Sequence, residues 1–292
     1  MINIAILGLG AIGKLIYSSL SAVHTLNISY IDERPSHLNQ KRSFIFSNKL
    51  TGKEYEVKPS YCSNLSDQQL VILCTKTYQS MNALASINGK IRPEIPIVIL
   101  QNGMGNEQIL QQSVPNPYIL ATTDCGAYVK NNKLCVTAIG TVTYDSLNIC
   151  GLNLNSLSGI VPWEPTDNIN EAIFKKLAVN SVINPITAIY DLKNGEIFQQ
   201  QELCENLIKE IYTISKLNNF NFTRDYLRDF VYGVAKSTRE NYSSMHEDLK
   251  YGRRTEIDSI VGYLLNQAKK YNISLPNLES VYKIIKANIL KE

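Results

Sequence analysis

A chain of 292 residues with 44% apolar side chains is long enough to build two ordinary domains, each with its own core. Its formal net charge of +3 is spread over both signs without a run of five like charges, which argues against a nucleic-acid tail or a polybasic membrane patch and leaves a small molecule as the expected partner. No stretch approaches 18 uninterrupted apolar residues, so a soluble, cytoplasmic protein without a membrane span is expected.

The chain starts MINIAILGLGAIG, without the basic leader and small-residue cleavage site of a secretory signal, and three glycines break its apolar run. In the first half, short β-branched runs alternate with helical stretches. INIAILG precedes a helix over 11–23, NISYID follows, LVILCTK precedes a helix over 78–88, and IPIVILQ precedes one over 105–112. That alternation predicts parallel strands with crossover helices. SFIFSNKLTGKEYEVKP alternates around Thr51-Gly52 and reads as an antiparallel hairpin in or beside the sheet. A second hairpin is expected to turn at Asn131-Asn132.

Beyond Trp163 the texture becomes helical, over about 168–184, 200–218, 224–248, 254–271 and 277–290. The expected fold is therefore α/β, with an N-terminal domain of parallel strands and crossover helices over 1–165 and an all-helical C-terminal domain over 166–292. The six cysteines, Cys62, Cys74, Cys125, Cys135, Cys150 and Cys204, form no Cys-x-x-Cys pair and read as reduced core thiols. The three histidines, His24, His37 and His246, stand at no metal-ligand spacing, so no metal site is expected and a proton donor is sought among Lys, Tyr, Asp and Glu.

Gly8-Leu9-Gly10-Ala11-Ile12-Gly13 follows a strand and opens a helix, the context that gives a G-x-G-x-x-G match its meaning. Gly8 permits the tight turn, Gly10 lets the backbone approach a pyrophosphate, and Gly13 allows the helix to pack on the strand. The helix N-terminus offers free N–H groups to the anion. Asp32, at the end of the second strand, suits the ribose hydroxyls of NAD, whereas Arg34 suits the extra phosphate of NADP, and both remain open.

KKLAVNSVINP, residues 175–185, places polar groups where an apolar helix is expected. At about 100° per residue, Lys176, Asn180 and Asn184 form a single stripe spanning about 80°. A solvated helix face collects charges more broadly than this. An ammonium drawn out of water gives up its proton more readily, and asparagine can both donate to and accept from a substrate. A structural lysine paired with a carboxylate across the core fits the same pattern. Pro185 is expected to end regular helix at Asn184. LQNGMG puts Asn102 at the carboxyl end of a strand, where open α/β sheets bind ligands. NYSSMHEDLKYGRRTEID concentrates Ser244, Asp248, Arg253, Arg254 and Glu256 in one polar segment.

Taken together, GLGAIG, CTKTYQ, LQNGMG, KLAVNSVINPITAIY, NGE at 194–196 and SSMHEDLKYGRRTEID resemble the ketopantoate reductase family over essentially the whole chain. The resemblance implies a Rossmann domain followed by a helical domain, with the active site in the cleft between them. It implies that Lys176 is the general acid for reduction of a ketone, and that Asn180, Asn184, Asn194 and Ser244 hold the hydroxyl and carboxylate ends of ketopantoate. Asn102 matches a residue touching cofactor and substrate. Lys76, Gly126 and Glu256 match cofactor-side positions, with Glu256 also placed in the catalytic set. NADP is favoured over NAD as cofactor, although Asp32 stands where the family usually has a basic residue. A monomer or homodimer acting on ketopantoate is expected, without nucleic-acid or membrane partners. The other readings are a related dehydrogenase of another 2-oxo acid and a non-catalytic NAD(P)-sensing protein.

Overall fold

The computed structural model of the protein describes residues 1–31, 43–62 and 64–289. Asp32 and Arg34 lie outside the described residues. In chain order the first part contains β1 (Ile2–Leu7), α1 (Ala11–Leu20), β2 (Leu26–Ile31), β3 (Phe44–Asn48), β4 (Glu54–Val57), β5 (Leu70–Leu73), α2 (Ser80–Ile87), β6 (Ile97–Ile99), α3 (Asn106–Ser113), β7 (Tyr118–Thr123), β8 (Gly126–Lys130), β9 (Lys133–Ala138), β10 (Val142–Asp145) and β11 (Trp163–Thr166). The second part contains α4 (Ile169–Tyr190), α5 (Gln201–Leu217), α6 (Arg224–Ser237), α7 (Ser244–Lys250), α8 (Ile257–Lys270) and α9 (Pro276–Ile289).

Two compact units result: Met1–Gln101 with Asn106–Ile169, and Asn102–Gly105 with Asn170–Glu292. The expected division after residue 165 cuts β11, a strand held whole in the first unit by its pairing with β10. The four residues Asn102–Gly105 group with the helices.

The apolar runs of the first unit are buried on both faces, as parallel strands covered by helices must be. Their sheet has the order β11-β10-β7-β6-β5-β1-β2. The five strands β2, β1, β5, β6 and β7 are parallel, and β10 is antiparallel to β7. Both expected hairpins form, but neither joins this sheet. The parallel pairing of β3 with β9 unites them into a separate sheet of order β4-β3-β9-β8. Asn131 and Asn132 take φ of 49° and 59°, the left-handed values that a tight two-residue hairpin turn requires. Asn132 Nδ2 also donates to the Ser43 carbonyl at 2.6 Å.

In the second unit every residue of α4 from Leu177 to Thr187 except Asn180 is buried. This helix does not end at Asn184, because Pro185 lies inside it. An interior proline removes a backbone donor at a cost of about 3 kcal/mol. Val182, Ile183 and Ile186 are at most 2% exposed, and burial of three such side chains contributes about 4.5–9 kcal/mol, enough to carry the helix onward. The expected helix over 224–248 is two helices, α6 and α7. Ser243 causes the restart by accepting the His246 N–H as N-cap of α7.

Four of the cysteines are buried, as expected, whereas Cys125 is half-buried and Cys150 is exposed in a turn at φ 51°. Burial pushes the Cys74 and Cys204 thiols up to about 12, so they are protonated, inert core groups. No helix among the described residues is long and apolar enough to cross a membrane.

One buried carboxylate fastens the last helix. Glu210 of α5 accepts the backbone N–H of Asn277 at 2.9 Å, the Asn277 side-chain amide at 2.7 Å and the Leu278 N–H at 2.8 Å, in the first turn of α9. The two backbone N–H groups are donors that a helix start leaves unsatisfied. Glu210→Ala is expected to cost about 2 kcal/mol and to lower Tm by roughly 4–8 °C in calorimetry, with Glu210→Gln losing less.

Candidate active site

The first unit gathers its candidate residues at the carboxyl ends of adjacent parallel strands. The turn Gly8-Leu9-Gly10-Ala11-Ile12-Gly13 joins β1 to α1, and Lys76 follows β5, the neighbour of β1. Each glycine has its own reason. A Cβ on Gly8, at φ 102°, would come within 2.6 Å of Thr75 Cγ2, and one on Gly13 would overlap the Gly8 carbonyl oxygen. Gly10 differs, because its φ of −71° suits any residue and a Cβ there would meet nothing within 4 Å among the described residues. Neither backbone conformation nor packing demands glycine at that position, while a ligand pressed against the backbone would. Gly10 is also the N-cap of α1, with no side-chain cap and no acidic residue in the first turn. Among the described residues, no side-chain cap and no first-turn carboxylate compete with an anion for the N–H groups at the start of α1.

Sequence reasoning missed the brace beneath this edge. Gln101, at the end of β6, donates through Nε2 to the Thr75 carbonyl at 2.8 Å, to Thr75 Oγ1 at 3.1 Å and to Ser80 Oγ at 2.8 Å. It ties the β6 end to the segment carrying Lys76, whose own N–H is received by Gln79 Oε1 at 3.3 Å. Its signal in the sequence is its place in LQNGMG, beside Asn102. Gly126 opens β8 at a bulge, and a Cβ there would meet Thr137 Oγ1 at 2.7 Å, so packing alone explains that glycine.

The second unit holds the remaining candidates. On α4 the stripe deepens along the helix, with Lys176 and Asn180 half-buried and Asn184 only 5% exposed. Asn102 and Glu256, 154 residues apart, are joined directly, with Asn102 Nδ2 donating to Glu256 Oε2 at 3.0 Å. Glu256 is buried at the N-cap of α8. Gly103 makes this approach possible: at φ 81° it lies against the Ser259 carbonyl, which leaves no room for a Cβ, and Met104 N–H donates to that same carbonyl at 3.3 Å.

Asn194 is buried, with its N–H donated to the Asn241 carbonyl at 2.9 Å and Nδ2 to Thr238 Oγ1 at 2.9 Å. Its Oδ1 is buried without a hydrogen-bond partner among the described residues. Ser244 is the exposed first residue of α7. Its neighbour Ser243 accepts the Thr187 hydroxyl at 2.7 Å, and that threonine also reaches the carbonyls of Ile183 and Asn184. Thr187 and Ser243 thus link α7 to the α4 stripe, a connection that sequence spacing did not reveal. Among the described residues no group of three His, Cys, Asp or Glu side chains is placed to hold a metal ion.

A largely parallel sheet entered through a glycine turn, followed by a helical unit that carries a polar-striped helix, defines a two-unit protein of the Rossmann-plus-helical class. Residues 4–149 match the family model described as ketopantoate reductase PanE/ApbA, and residues 168–289 match its C-terminal counterpart. The chain is 30% identical to the 2-dehydropantoate 2-reductase of Listeria innocua, over 98% of this chain and 96% of that one. It is 29% identical to the enzyme of the same name from Yersinia pestis, over 97% and 94%. Among solved structures, D-mandelate dehydrogenase with NADH and anilino(oxo)acetate superposes with a TM-score of 0.88 at 25% identity, covering 99% of this chain and 98% of that one. The chain belongs to the ketopantoate reductase family.

Proposed function

We propose that this protein is an oxidoreductase that reduces the ketone of 2-dehydropantoate (ketopantoate) to give pantoate for pantothenate and coenzyme A synthesis. It uses a nicotinamide dinucleotide, with NADPH favoured over NADH, and acts as a cytoplasmic monomer or homodimer. The observation that carries this reading is the stripe of Lys176, Asn180 and Asn184 on a helix otherwise buried over that stretch, in a chain of this family.

Reduction develops negative charge on the ketone oxygen, and a positioned cation that also surrenders a proton stabilises that transition state more than the ground state. Lys176 has this role, with its ammonium donating to the oxygen. Asn180, Asn184, Asn194 and Ser244 hold the hydroxyl and carboxylate ends of the substrate, fixing which face of the carbonyl reacts. Asn102 and Glu256 act as one hydrogen-bonded unit, the carboxylate fixing the side-chain amide of a residue whose role is to touch cofactor and substrate. Gly8, Gly10 and Gly13, with the N–H groups at the start of α1, hold the pyrophosphate, and Lys76 and Gly126 contribute to the same ligand. The dinucleotide supplies the hydride when bound.

A second reading, reduction of a different 2-oxo acid by the same lysine, is favoured by the likeness to D-mandelate dehydrogenase. A purely nucleotide-sensing protein has no need of the Lys176 stripe. Initial rates of NADPH and NADH oxidation, measured with ketopantoate and with 2-oxo acids lacking its 4-hydroxyl, separate these readings. Ketopantoate with NADPH is expected to be turned over fastest. Equal rates with the simpler acids would sink the substrate assignment.

A further inference from the structure

His246 lies inside the segment SSMHEDLKYGRRTEID and has no part in the reaction proposed above, yet its ring is buried and held on two sides. Its side chain is 4% exposed, and Nε2 lies 2.6 Å from Asp191 Oδ1. Its ring stacks on Tyr242 with centroids 4.4 Å apart and planes 19° from parallel. Asp191 closes α4 in the left-handed conformation, at φ 53°, and its own side chain is 89% exposed. The imidazole beside Asp191 holds that carboxyl below the usual carboxylate range. An exposed carboxylate at the end of one helix therefore reaches over a buried ring on another.

The pair works beside a second link. Thr187, one turn beyond Asn184, donates to Ser243 Oγ, and Ser243 Oγ accepts the His246 N–H at 3.1 Å. Ser244 sits between these two attachments in sequence. A helix of seven residues cannot hold its own register, since isolated helices of that length are unstable in water, so tertiary links must place it. We propose that Asp191 and His246 form a positioning pair that registers α7, and with it Ser244, against the polar stripe of α4. The inference rests on the reading of Ser244 as a group that holds substrate.

The test uses the full-length protein. Asp191→Gly removes the carboxylate and tolerates φ 53° without strain, whereas Asp191→Asn keeps an acceptor in a residue that also adopts this conformation. Asp191→Gly and His246→Leu are expected to raise KM for ketopantoate about tenfold, the size of one charge-assisted hydrogen bond, while kcat and KM for NADPH stay within about twofold. Asp191→Asn is expected to restore most of the loss. Amide hydrogen exchange over residues 243–246 gives a readout independent of the reaction and is expected to quicken in Asp191→Gly and not in Asp191→Asn. Unchanged KM and unchanged exchange, or an asparagine variant as impaired as the glycine variant, would overturn the pair. Absence of ketopantoate turnover in the unmodified protein would count against the proposed reaction alone, and the exchange measurement would still decide the pair. Should His246→Leu fail to fold, the exposed Asp191 variants carry the test.

Discussion

Lys176→Ala is expected to lower kcat by roughly 10²–10⁴-fold, the contribution of a positioned general acid, with a far smaller change in the binding of either substrate. The fold is expected to survive, because Lys176 is half-buried and its neighbours Leu177, Ala178, Val179 and Val182 carry the packing of α4. Steady-state kinetics beside a thermal melt make the distinction. A structural lysine paired across the core would give the opposite result, a lowered Tm with residual kcat in whatever enzyme folds. Near-normal kcat at neutral pH would remove Lys176 from the chemistry.

Gly10→Ala and Gly13→Ala are expected to fail in different ways although the residues share one turn. At Gly13 the added methyl collides with the Gly8 backbone, which cannot move without unseating α1 from β1, so a loss of about 3 kcal/mol is expected. At Gly10 the methyl meets no atom of the described residues, and stability is expected to hold within about 1 kcal/mol. It does occupy the surface offered to a pyrophosphate, so the Kd for NADPH is expected to rise at least about tenfold, read by titration calorimetry. A Gly10→Ala protein that binds NADPH normally would mean that the dinucleotide does not contact this turn.

Periodicity in the sequence carried far. Parallel strands alternating with helices, two hairpins with their turn residues, and the change to helical texture near residue 165 all depend on contacts within a few residues, and each appears in the fold. The same holds for the polar stripe of α4, since 3.6 residues per turn places Lys176, Asn180 and Asn184 together whatever surrounds them. Errors arose where local preference met tertiary packing. Pro185 is a helix breaker by itself, but it stays in the helix because Ile183 and Ile186 are buried on either side.

The amino-acid sequence by itself thus determined the kinds of elements, the glycine turn, the lysine stripe and the family to which their motifs point. Only the tertiary structure decided that β3 pairs with β9 to merge two hairpins, that Gln101 braces the Lys76 segment, that Asn102 meets Glu256, and that Asp191 reaches His246. The physical reason is range. Backbone propensity and periodicity act over a few residues, whereas those pairings join positions 26 to 154 residues apart, or about 90 for the strand pairing, and come together only once the cores have packed.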